Sequence, residues 1–114
     1  MNSIKTYTVF DDEIKKSRFI GILCPISKES DIQNCLQEAK KAYPNATHYC
    51  YAAILGDMGD WQRSSDDGEP QRTAGVPILE VLKKHQLTNV IGIIVRYFGG
   101  IKLGAGGLIR AYAS

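Results

Sequence analysis

Residues 90–97 read VIGIIVRY, an unbroken apolar run closed by Arg96 and Tyr97. A run without polar alternation predicts a β-strand covered on both faces, because a half-exposed strand alternates with a period of two. The next stretch, FGGIKLGAGGLIRAY (98–112), holds five of the chain's 11 glycines between Gly99 and Gly107. It predicts a tight connection leading into a helix, GLIRAYAS, that the chain end cuts short.

Working back from this strand, Thr73 is placed to cap a helix running to about Gln86. Pro77 is tolerated in its first turn, and Lys83, Lys84 and His85 complement its C-terminal dipole. Before it, residues 56–72 (GDMGDWQRSSDDGEPQR) show no period and read as a long loop. THYCYAAIL (47–55) reads as a strand. Ile32, Cys35, Leu36, Ala39 and Tyr43 form one apolar stripe at helical spacing, with Ser27 or Ser30 as its cap and Pro44 as its stop. KTYTVF (5–10) and RFIGILCPI (18–26) read as a hairpin turned by the polar run DDEIKKS, with Pro25 at a strand end or edge. The order predicts an α+β domain, a two-layer sandwich with a mostly antiparallel sheet against helices.

Composition bounds the function. The chain has 114 residues, 44% hydrophobic and 23% charged, the make-up of one soluble globular domain. A net charge of +2 demands no nucleic-acid partner by itself, so local clustering has to argue for one. Cys24, Cys35 and Cys50 form no CxxC pair and are odd in number, which points to a reducing, cytoplasmic compartment. No run approaches membrane-spanning length, so no membrane partner is expected.

Two segments carry candidate chemistry. Gly104, Gly106 and Gly107 precede a helix, and Arg96, Lys102 and Arg110 bring cations nearby. Convergent amides and cations suit a phosphate or a nucleic-acid backbone; a purely structural strand-to-helix turn fits the same residues. Neither the Walker pattern nor GxGxxG is matched, and no cofactor is expected. The second segment is SSDDGEP (64–70). Asp66, Asp67 and Glu69 could offer oxygen ligands to a hard cation, but the spacing fits no EF-hand, and a solvated turn with Gly68 at positive φ is the simpler reading. His48 and Cys50 share a strand face without an oxyanion hole or third group, so both read as structural. Trp61 suits either a partner contact or a cover for the sheet edge.

With these residues in hand, the chain resembles the N-terminal domain of the IMPACT family. The resemblance rests on KKSRFIG (15–21), NATHYCYA (45–52), SSDDGEPQRTAGVPIL (64–79) and RYFGGIKLGAGGLIRAY (96–112), in order over nearly the whole chain. It implies a ribosomal-protein-like fold similar to elongation factor G domain IV, a link to translation, and a second, ferredoxin-like domain after a single N-terminal domain spanning 1–114. It also implies a glycine where this chain has Arg72, a costly exchange if that backbone needs positive φ.

Two functions follow as expectations. One is a non-enzymatic module that binds RNA, the ribosome or a translation-associated protein through the glycine loop. The other is a small metal-assisted hydrolase or phosphoryl-handling enzyme using the acidic loop. The thin catalytic inventory favours the first. The acidic and glycine segments are also expected to meet at one sheet end, with Asp66 or Asp67 accepting from the 104–107 amides and Arg96 or Lys102 left to solvent.

Overall fold

The computed structural model of the protein describes residues 1–113. Among them, strands β1 (Thr8–Ile14), β2 (Ser17–Pro25), β3 (His48–Leu55), β4 (Trp61–Ser65) and β5 (Val90–Tyr97) form one antiparallel sheet in the order β1-β2-β5-β3-β4. Helices α1 (Ser30–Ala42), α2 (Gly75–Lys84) and α3 (Gly104–Tyr112) complete the α+β domain.

β5 sits mid-sheet, as its apolar run requires. Alternate residues serve two cores: Val90 and Ile94 pack with α2 and α3, whereas Ile91, Ile93 and Val95 pack with Ile32, Leu36 and Ala39 of α1. Each fully buried Ile or Val contributes about 1.5–3 kcal/mol relative to exposure. The expected antiparallel α+β sandwich is present. Its layering is finer than the two layers expected, because helices cover both faces and the sheet is the middle layer.

Both edge strands were misplaced or missed by pattern reading. β1 runs Thr8–Ile14, so the DDEI of the expected turn lies inside the strand, and only Lys15 and Lys16 turn the chain. β4 lies within the expected 56–72 loop. Each edge strand is mostly exposed, so burial imposes no apolar period on it. The helix starts also differ. α1 carries no side-chain cap from Ser27 or Ser30; instead Asp31 Oδ2 accepts from the Ser27 and Lys28 amides. α2 begins at Gly75 and ends at Lys84, and Thr73 bonds to the Pro70 carbonyl rather than capping it. Gly75 is fixed by packing, since a Cβ there would stand 2.8 Å from the Ser65 backbone. Of the expected third helix, Ser114 lies outside the described residues.

Candidate functional site

The site grows from Arg96, the first polar residue of the central strand. The register sets it between Phe19 on β2 and His48 on β3, on the sheet face that α2 and α3 cover. Its guanidinium lies 5.5 Å from the Phe19 ring centroid and 5.4 Å from that of Phe98. A charge so enclosed needs an opposite charge and filled hydrogen bonds. Glu69 supplies the charge: Nη1 donates to Oε2 at 2.7 Å and to Oε1 at 3.0 Å. Ser17 Oγ accepts from Nε and Nη2 at 3.3 and 3.2 Å.

Glu69 takes further partners. The Tyr112 hydroxyl donates to its Oε2, and His48 Nε2 lies 3.3 Å from its Oε1. The other ring nitrogen, Nδ1, lies 2.7 Å from the Asp67 carbonyl oxygen. Burial, reinforced by Cys50 and Glu69, holds the Tyr112 phenol far above its usual range, so its proton stays and points at the carboxylate. No buried side-chain nitrogen or oxygen among the described residues lacks a partner. The ends of β2, β5 and α3 and the 66–74 loop are thereby tied at one end of the sheet.

The acidic and glycine segments do meet there, but not through the expected contact. Asp66 does not accept from the 104–107 amides. Its Oδ1 accepts from the Gly75 and Ala74 amides at 2.8 and 3.2 Å, and its Oδ2 from Arg72 at 2.9 Å, so it caps α2 instead. Burial raises its pKa, but the amides of Gly75, Arg72 and Ala74 more than offset this and leave it below the ordinary value. Asp67 Oδ2 accepts from the Tyr49 amide at 2.7 Å, tying the loop to β3. Gly68 does adopt positive φ, at 88°, with His48 packed beneath it. The three acids thus serve a helix start, a strand amide and an arginine. Among the described residues no three His, Cys, Asp or Glu side chains gather in a metal-holding group.

Over the buried pair opens a cleft of about 370 Å³, with His48, Arg96, Phe98, Lys102, Leu103 and Gly104 on its wall. Arg96 is only 4% exposed and committed to Glu69, whereas Lys102 is exposed at the rim. Gly104 has φ 75°, and no side chain caps α3 at Leu103. Gly106 and Gly107 follow in the first helical turn, while Arg110 lines a second depression with Lys15 and Leu103. Trp61 stands apart, on the α1 face, half-buried against that core with the Arg63 guanidinium 4.9 Å from its ring.

Sequence reading missed Ser17, His48, Tyr112 and Phe98 as parts of this site. The available signal was parity: Ser17 and His48 stand on the same sheet face as Arg96, and Tyr112 is the polar-tipped member of an apolar helix stripe. Cys50 is closed to chemistry. Its Sγ lies 3.0 Å from the Asp66 carbonyl oxygen, and burial pushes its thiol up to about 12.

Fold and site together define an α+β domain in which an acidic loop and a glycine-rich loop close over a buried arginine–glutamate pair. The chain belongs to the IMPACT family, for the sequence model of the Impact N-terminal domain matches residues 15–114. It is 56% identical over 99 residues to the IMPACT family member YvyE of Bacillus subtilis, covering 87% of this chain and 46% of that protein. The fold matches a hypothetical protein of known crystal structure with a TM-score of 0.88 at 37% identity, over 94% of this chain and 53% of the other. The two-domain translational regulator Yih1 shares the fold alone, with a TM-score of 0.60 at 23% identity over 99% of this chain and 46% of Yih1. The chain thus spans about half the length of the relatives it matches.

Proposed function

We propose that this chain is a non-enzymatic binding module that acts in the regulation of translation. It engages RNA, the ribosome or a translation-associated protein through the 98–104 loop. One observation carries the reading: Asp66, Asp67 and Glu69 are each held by the protein's own amides or by Arg96, while Lys102, at the rim of an open cleft, has no ion-pair partner among the described residues. A hydrolase reading needs a nucleophile or a metal-holding group, and this arrangement directs its acids to structural tasks instead. Family membership and the regulatory role that Yih1's name carries support the link to translation. The free cysteines suit the cytoplasm.

The test is co-sedimentation of the purified protein with ribosomes and their bound factors at two salt concentrations. Association that weakens with salt and with Lys102→Glu is expected. No association at low salt, or association indifferent to Lys102, overturns the reading.

A further inference from the structure

The β1–β2 turn is chemically unusual. Its two residues, Lys15 and Lys16, have φ of 48° and 68°, values that hairpin turns normally assign to Asn-Gly. A side chain at either position strains the left-handed backbone, which glycine would not. The turn sets two exposed ammonium groups beside the glycine loop. Gly99 rests directly on it, for a Cβ at 99 would stand 1.9 Å from the Lys16 carbonyl oxygen.

A track of two depressions that share one wall residue starts here. Lys15 and Arg110 line one depression with Leu103, and Leu103 also lines the cleft that holds Lys102 and Phe98. No ion pair among the described residues engages Lys15, Lys16, Lys102 or Arg110. Asp12 is the acid of the first depression. At the other end Phe98 is 46% exposed, with the Arg96 guanidinium 5.4 Å from its ring centroid.

We propose that this track binds single-stranded RNA, with phosphates over Lys15, Arg110 and Lys102 and one base stacked on Phe98. The proposal rests on the binding-module reading above and adds the ligand class and the residues. Unpaired lysines argue against a protein partner, because interface cores are depleted in lysine. An exposed ring beside cations suits unstacked bases, which a duplex does not offer.

The experiment is fluorescence anisotropy with a labelled, unstructured RNA of about 12 nucleotides, set against a duplex of equal length. The single strand is expected to bind more tightly. Lys15→Ala and Lys102→Ala should each weaken binding several-fold and flatten the log–log salt slope by about 0.7. Phe98→Leu should weaken binding about tenfold with the slope unchanged, in a protein whose circular dichroism melt confirms folding. Asp12→Asn should tighten binding.

Preference for the duplex, or indifference to Phe98 and Lys15, overturns the proposal. If neither RNA binds while ribosome association still depends on Lys102, the partner is a protein: the RNA assignment fails and the binding-module reading survives. If ribosome association is also absent, both fail.

Discussion

Arg96 Nη1 donates to both carboxylate oxygens of Glu69, at 2.7 and 3.0 Å, and the two side chains are only 5% and 4% exposed. This pair joins the central strand to the acidic loop, so its loss is felt in the fold before it is felt in binding. Removing one partner leaves a buried charge without compensation. Glu69→Ala should therefore cost about 3–5 kcal/mol in urea unfolding. Replacing both, with Glu69→Leu and Arg96→Met, should recover most of that, because the desolvation penalty leaves with the charges. A double variant as unstable as the sum of its two single variants would contradict this account.

Legibility followed burial. β5, β3 and α1 could be read because their apolar patterns answer to cores on defined faces. β1 was read only in part and β4 not at all, since an edge strand exposed on most of its surface imposes no period. The meeting of the acidic and glycine segments followed from both leaving the same end of the sheet. Their contact did not follow, because it depends on which helix start lies closest. Asp66 is nine residues from Gly75 and finds that helix, while Glu69 reaches Arg96 across the sheet end. Arg96 shows the same limit: a basic residue in a glycine-rich motif reads as a ligand contact until its buried partner is known.

Arg72 tests the departure from the family pattern. Its φ is 64°, a left-handed value, and its amide is held by Asp66 Oδ2. The glycine that the resemblance implies there suits this backbone, and the arginine does not. Arg72→Gly should raise stability by up to about 1 kcal/mol, whereas Arg72→Ala, which keeps the Cβ, should leave it nearly unchanged. Thermal melts of the three proteins decide it. A glycine variant that melts below the arginine form would show that the side chain itself stabilises the loop.

The thiols are expected to be inert. Burial pushes Cys35 and Cys50 up to about 12 and raises Cys24 as well. Nucleophilic attack needs the thiolate, so at pH 8 alkylation of the folded protein should be slow at all three and become fast in urea. Mass spectrometry after a short iodoacetamide pulse reads each site separately. Rapid native labelling of Cys50 would mean that the layer beneath Glu69 opens far more readily than its packing implies.

Asp66 ties the acidic loop to stability and to pH. Its carboxylate accepts three amides at the start of α2, and among the described residues no other side chain caps that helix. Asp66→Ala should cost about 1–2 kcal/mol at neutral pH, the usual range for a lost helix cap. The pH dependence follows from the direction of the shift. Burial alone would raise the pKa, but the Gly75, Arg72 and Ala74 amides prevail and lower it, so the folded state holds this proton less tightly than the unfolded chain. The stabilisation is therefore complete above the unfolded value of about 3.9 and is lost as pH falls through the lower folded value. Asp66→Asn keeps an acceptor oxygen but not the charge. Its deficit relative to the native protein should be largest at neutral pH and close in acid, as the native carboxyl also becomes neutral. Urea midpoints for both proteins, followed from neutral pH to below the folded value, measure that gap. A gap that stays constant across the range would mean that Asp66 acts by shape and hydrogen bonding alone, with no charge on the helix start.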